Sequence, residues 1–223
     1  MLTWCFRPQC AACGVLATAP LCTACEGSLE PLGASCPRCA EPSAEATPCR
    51  RCVTAPLPLA RVVAPWRFGG QLAIAIRRLK FAGATHVART LAPLWAPVLA
   101  AAVAEHAAVV VPVPLHWRRR LGRGFDHAWL LAHHACALAA IAPPLAALRR
   151  TRHAPPQSTL SAAARRDNLA GAFAVRADVA GRAVILVDDV VTTGATLAAC
   201  AAPLHRAGAT AVIGLAIARA TSV

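Results

Sequence analysis

The sequence predicts an α/β protein whose parallel sheet carries helices on both faces, with a small cysteine-rich module at its amino end. Three observations lead there. Aliphatic runs at residues 108–114, 183–189 and 210–218 have the length and β-branched content of strands buried on both faces. Segments with apolar residues at three- and four-residue steps alternate with those runs, as crossover helices do. Nine of the eleven cysteines fall before residue 53, so the amino end is built on a different principle from the rest.

The cysteine module comes first, over residues 1–53. It holds four C-x-x-C pairs, Cys10/Cys13, Cys22/Cys25, Cys36/Cys39 and Cys49/Cys52, separated by 8, 10 and 9 residues. A C-x-x-C knuckle turns two thiolates toward one point, and two knuckles complete a tetrahedral sulfur shell for zinc. Eight ligands make two sites, so about two structural zinc ions are expected. Such a short segment lacks an adequate apolar core, and metal binding supplies the missing folding free energy. Disulfides fit poorly with a chain that shows no export signal, and a redox dithiol is normally one pair rather than four in series. An iron–sulfur cluster is the minor alternative for a four-thiolate shell. Which knuckles pair stays open: sequential pairing gives a double zinc ribbon, and crossed pairing satisfies the same count. Cys5 reads as a spare thiol; Cys136 and Cys200, in apolar helical surroundings, read as small buried hydrophobes.

A Pro-rich stretch, "TAPLPLA", forms an expected linker at 54–60, and a larger domain follows over 61–223. Helices are expected there at 71–80, 86–105, 124–140, 161–168 and 195–207. Trp66 and Trp95 stand in apolar settings and read as core; His133 and His134 read as one face of a helix. Charge divides at the same place. Residues 1–60 balance four Arg against four Glu, so the formal net charge of +13 lies wholly in the remainder. That surplus suits an anionic partner. The apolar stretches at 91–104 and 128–148 are broken by prolines and by the His133–His134 pair, which argues against membrane insertion. The first ten residues lack the pattern of a signal peptide, and a soluble, cytoplasmic protein is expected.

In parallel sheets, ligands bind beyond the carboxyl ends of the strands. Pro112-Val113-Pro114 and Asp188-Asp189 both stand there. The second belongs to "VILVDDVVTTGATL" at 184–197, a run of four apolar residues, two acids, two more apolar residues and a hydroxyl-rich loop entering a helix. Backbone N–H groups at a helix start, threonine hydroxyls and a glycine together form a phosphate cradle. A plain helix cap explains one acid and one threonine but not the whole pattern. The stretch has neither the Walker lysine nor G-x-G-x-x-G spacing.

The stretch resembles the phosphoribosyl pyrophosphate (PRPP) motif of type I phosphoribosyltransferases. The resemblance implies that Thr192, Thr193, Gly194, Ala195 and Thr196 hold the 5-phosphate, while Asp188 and Asp189 take the ribose 2- and 3-hydroxyls. By position after its strand, the segment Val113, Pro114 and Leu115 matches the family's pyrophosphate loop. A second resemblance covers nearly the whole chain. The cysteine pairs, then "RLKFAG", "VPVPLHWRRRLGRGFDHAWLLA", "RTRHAPPQSTLSAAARRDNLAGAFAV" and the PRPP motif, are similar to the ComF family, the relatives of bacterial competence protein F. This implies a zinc-ribbon start, a type I phosphoribosyltransferase-like sheet and a link to DNA uptake in natural transformation. One departure stands out: Asp126-His127 occupy positions where the family usually has Asn-Gln.

Nine arginines fall between Arg118 and Arg166, opposed only by Asp126 and Asp167. The run "HWRRRLGRGF" interleaves Trp117 and Phe125 with cations, including Arg118, Arg119, Arg120 and Arg123. Arg118 and Arg123 are expected to contact pyrophosphate, and the same run can stack and neutralise single-stranded DNA. The resemblance implies displacement of pyrophosphate from the ribose anomeric carbon by a nitrogen nucleophile, with magnesium bound alongside PRPP. No residue stands out as a general base. Three readings follow: a phosphoribosyltransferase of unidentified acceptor, a single-stranded-DNA-binding accessory with PRPP as effector, or a zinc-ribbon adaptor for a DNA-import helicase.

Overall fold

The computed structural model describes residues 9–81, 83–115, 124–152 and 171–221. The expected helix at 161–168, along with Cys5, Trp117, Arg118, Arg119, Arg120, Arg123, Arg165 and Arg166, lies outside the described residues. Two long strands form the centre, β6 (Ala183–Val191) and β7 (Ala211–Arg219), paired in parallel. Strand β3 (Val109–Pro112) pairs in parallel with the free edge of β6, with Val110 opposite Ile185. The outer edge of β7 is covered by β1 (Val62–Val63) and β2 (Trp66–Arg67), both parallel to it. A separate antiparallel pair, β4 (Leu148–Arg150) and β5 (Phe173–Val175), stands beside this sheet.

Strand alternation feeds two cores. Ile185, Val187, Ile213, Leu215 and Ile217 face a layer of four helices: α3 (Gly70–Phe81), α4 (His86–Leu91), α5 (Ala96–His106) and α6 (His127–Leu138). Val184, Leu186, Val212 and Ala216 face α7 (Ala195–Arg206) on the other side. The long helix expected over 86–105 is two helices. A 3₁₀ turn at Ala92–Leu94 separates α4 from α5, and the two segments meet at 65°. Pro93 and Pro97 are the cause, because each removes a backbone donor and blocks the preceding turn. Among the described residues no single helix is long and apolar enough to cross a membrane.

Trp95 is fully buried, as expected. Trp66 is only half-buried and its indole N–H donates to the Leu94 carbonyl at 3.0 Å, so it serves as a polar tie at the sheet edge. Cys136 and Cys200 are buried, and His133 lies on the exposed face of α6.

The cysteine module folds as two equivalent halves. Cys22 precedes α1 (Thr23–Glu26) and Cys49 precedes α2 (Arg50–Thr54), each with φ −67° and ψ near 157°. In each half the residue after the earlier knuckle, Gly14 or Ala40, takes a left-handed φ. The halves dock at different places. Arg78 of α3 donates to the carbonyls of Cys10, Ala11 and Ala12 at 3.1–3.3 Å, tying the first half to the helical layer. The second half meets the sheet: the Val62 amide donates to Arg38 O at 3.0 Å, and Glu41 pairs with the buried guanidinium of Arg219.

Candidate functional site

The cysteines gather as two sets of four, Cys10/Cys13/Cys22/Cys25 and Cys36/Cys39/Cys49/Cys52, so the knuckles pair sequentially. Within each set all sulfurs lie within 4.8 Å of one another, with Cys13–Cys22 at 3.7 Å and Cys39–Cys49 at 3.6 Å. A tetrahedral zinc with Zn–S near 2.3 Å places its sulfurs about 3.8 Å apart. Burial pushes the Cys10 thiol up, but the backbone N–H groups of Cys13, Cys22 and Ala12 outweigh it and bring it down to about 6. Cys25, buried beside three sulfurs, is pushed up to about 12. Four adjacent thiols cannot all ionise without a cation at their centre, which is the condition a zinc ion meets. Both sets can hold zinc.

The two acids stand inside the strand that carries them, not beyond it. β6 runs two residues past the acids, to Val191, so Asp188 and Asp189 sit within pairing distance of β7 rather than beyond the strand. Alternation turns Asp189 toward the helical layer. There Lys80 Nζ of α3 lies 2.8 Å and His127 Nε2 of α6 lies 3.3 Å from Asp189 Oδ2, while Oδ1 accepts from the Val190 amide at 2.7 Å. Burial opposes the charge on Asp189, yet His127 and Lys80 outweigh it and hold the carboxyl below its usual range. Asp188 is half-buried, and its Oδ1 accepts from the Asp189 amide at 2.9 Å. Burial, aided by the charge of Asp189, pushes Asp188 up to about 8. Adjacent carboxyls thus carry opposite preferences, one ionised and one proton-holding at neutral pH.

Two residues further on, the chain leaves β6 and enters α7 through Thr192, Thr193 and Gly194. Gly194 is the N-cap of α7, with φ +77° and no side chain to satisfy the first-turn N–H groups. The Ala195 amide finds Thr193 Oγ1 at 3.3 Å. Thr192 is exposed, Thr193 and Thr196 half-buried, and Gly194 and Ala195 buried. A glycine is required twice over at 194: its φ is left-handed, and a Cβ there would lie 2.8 Å from Leu57 Cδ1.

The segment expected as a pyrophosphate loop follows β3. The Val113 amide donates to Val187 O at 2.8 Å, and the Leu115 amide donates to Asp126 Oδ2 at 3.0 Å. Pro114 has no amide hydrogen, so these three residues form a wall with their donors already engaged. Asp126 also caps α6, accepting from Ala128 N and Trp129 N through Oδ1. Of the Asp126-His127 departure, the aspartate is therefore a cap that ties the loop to its helix, and the histidine is a charge partner of Asp189. Beside the wall lies a cavity of about 600 Å³ lined by Pro112, Pro114, Trp129, Arg149, Arg150 and Arg176, among others.

A parallel sheet with helices on both faces, an acid pair on its central strand and a glycine-capped helix start define the class, and the comparisons agree. Residues 130–221 match the phosphoribosyl transferase domain family. DNA utilization protein YhgH of Escherichia coli K12 is 35% identical over 197 residues, covering 86% of this chain and 87% of the relative. The corresponding protein of Salmonella typhimurium is 34% identical over the same coverage. Competence protein F of Haemophilus influenzae is 36% identical over 133 residues, 56% of this chain and 58% of the relative. The chain belongs to the ComF family.

Lys80 and His127 had no role in the sequence reading. Lys80 stands inside "RLKFAG" with nothing local to link it to an aspartate on a distant strand. A signal was present for His127: it departs from the family pattern beside a loop that ends at the same sheet edge.

Proposed function

We propose that the chain binds PRPP at the carboxyl end of β6 and transfers its phosphoribosyl group to an acceptor, releasing pyrophosphate. The observation that carries this reading is the half-buried, proton-holding Asp188 on the strand that leads into the glycine-capped start of α7. The N–H groups of that first turn and the hydroxyls of Thr192, Thr193 and Thr196 suit a 5-phosphate. Asp188 accepts from the ribose hydroxyls. Asp189, expected to do the same, is buried and engaged by Lys80 and His127, and on this reading it sets the position and charge of its neighbour. The nucleophile attacks the anomeric carbon as the bond to pyrophosphate breaks, through an oxocarbenium-like transition state. Ligand atoms of His127, Asp188 and Asp189 lie within 4.8 Å, but Lys80 already neutralises Asp189, which leaves Asp188 as the carboxylate in reach of a cation bound with PRPP. Magnesium, when bound with PRPP, supplies charge neutralisation at the leaving pyrophosphate. Incubation with PRPP, magnesium and a panel of nucleobases, following pyrophosphate release, tests the reaction. Release with at least one acceptor, lost in Asp188→Ala, is expected; no release with any acceptor removes the catalytic step.

A second reading concerns DNA, and the arginine-lined cavity favours it. Three arginines and a partly exposed Trp129 line it, combining positive charge with a stacking face. The names of the relatives, DNA utilization protein and competence protein, point the same way. On this reading PRPP is an effector, and the cysteine ribbons, which carry no net charge surplus, dock a protein of the uptake machinery such as a helicase. Affinity for single-stranded DNA should fall steeply with salt, and Arg149→Ala with Arg176→Ala should flatten that slope. A salt-independent interaction, or none, eliminates it.

A further inference from the structure

The first half of the cysteine module sits on the back of α3, but the second half reaches the phosphate loop. Leu57 packs against the second cysteine set, Cys36, Cys39 and Cys52, on one side. On its other side, Leu57 Cδ1 lies 2.8 Å from where a Cβ on Gly194 would stand. One isobutyl group therefore touches both the sulfur shell and the glycine of the TTGAT loop.

A second connection runs in parallel with it. Arg51 directly precedes Cys52 of the second set, in α2. Arg51 lies 3.9 Å from Glu41, and Glu41 pairs with Arg219, which is fully buried at the end of β7. Arg219 stands opposite Val191 in the parallel register, and the Ala220 amide donates to Val191 O at 2.8 Å. Val191 is the last residue before the loop. A fully buried arginine is sustained only by its anionic partner, and that partner is supplied by the cysteine module.

We infer that the second four-cysteine set is a positioning element of the phosphate loop: metal held there fixes Leu57 against Gly194 and Glu41 against Arg219. Losing that metal loosens the loop and weakens phosphoribosyl ligands. The ligand part of this inference rests on the PRPP reading above; the loop part does not. The metal joins the two knuckles of this set, so its loss opens the shell against which Leu57 packs. Among the described residues, the first set makes no such contact with the loop.

Hydrogen exchange of the amides at 192–197, zinc content and PRPP–magnesium affinity are to be measured on the full chain. The comparison uses wild type, Leu57→Ala, Leu57→Met, Cys49→Ser in the second set and Cys22→Ser in the first. Expected are faster loop exchange in Leu57→Ala and Cys49→Ser, near-wild-type exchange in Leu57→Met and Cys22→Ser, and zinc retained in Leu57→Ala. PRPP affinity should fall by about fivefold or more in Leu57→Ala, the lower range for coupling between sites. Unchanged loop exchange in Leu57→Ala overturns the inference, as does equal loosening by Cys22→Ser. If Cys49→Ser does not fold, Leu57→Ala with its Leu57→Met rescue decides alone. Wild type that never binds PRPP, yet shows this exchange pattern, contradicts the PRPP reading and leaves the coupling standing.

Discussion

Lys80 and His127 approach Asp189 from two different helices, and Asp188, one residue away, keeps its proton. The charge on Asp189 is fixed by these partners, so removing one should be costly. Lys80→Met should destabilise the fold by roughly 2–3 kcal/mol. That is below the 3–5 kcal/mol typical of a broken buried pair, because Lys80 is partly exposed and His127 remains. Urea denaturation checks this; an unchanged midpoint means Asp189 does not depend on the lysine. For Asp188 the sign follows from a carboxyl raised to about 8. Its contribution to stability is full below its unfolded value near 4 and is lost as pH rises through about 8. Asp188→Asn should therefore stabilise more at pH 9 than at pH 5, read as the difference in melting temperature. Ribose hydroxyls donating to Asp188 favour its charged form, so PRPP binding at pH 7 should release a proton. Calorimetry in buffers of different ionisation enthalpy measures this. Proton uptake, or release that persists in Asp188→Asn, contradicts the assignment. The sequence made the acid pair visible but not its asymmetry. The two carboxyls stay close together, but Asp189 alone is engaged by Lys80 and His127, which come from segments with no local link to the pair.

At the level of elements, the central strands were legible because aliphatic runs buried on both faces admit few other readings. Observed β6 and β7 differ from the expected runs by two residues or fewer at any end. The helix over 86–105 was misjudged because alanine-rich periodicity outweighed the two prolines that break it into α4 and α5. The short strands β1, β2, β4 and β5 were missed. Two or three residues carry no periodicity, and tertiary pairing alone makes them strands. On the PRPP reading, the loop between β6 and α7 is the element on which function turns. Gly194→Ala introduces a side chain at φ +77° and against Leu57, so ligand affinity should fall and stability drop by about 1–2 kcal/mol. Adding Leu57→Ala should relieve the steric part and leave the backbone part. A double variant no better than the single one would show that Leu57 yields freely.

Across the whole molecule, the cysteine module is bound into the sheet rather than appended to it. Glu30 O of the module accepts from the Arg67 amide at 2.8 Å, and the Ala60 amide of the following linker donates to Val212 O at 2.8 Å, so module and linker together line the edge of β7. The metal count was readable from knuckle number alone; the partner of each knuckle needed the fold, since sequential and crossed pairing use identical spacing. Zinc analysis of the purified protein should give about two ions per chain, and one or none would contradict two four-sulfur sites. The basic surplus and the arginine cavity were legible as composition but not as a place, because Arg149, Arg150 and Arg176 converge only when β4 and β5 pair.

On the proposed function, the end of β6 and the start of α7 bind PRPP. Titrating PRPP with magnesium into wild-type protein and Asp188→Ala by calorimetry tests it most directly. Saturable one-to-one binding to wild type, lost in the variant while zinc content and melting temperature persist, is the predicted result. No binding to wild type, or equal binding to both proteins, would contradict it.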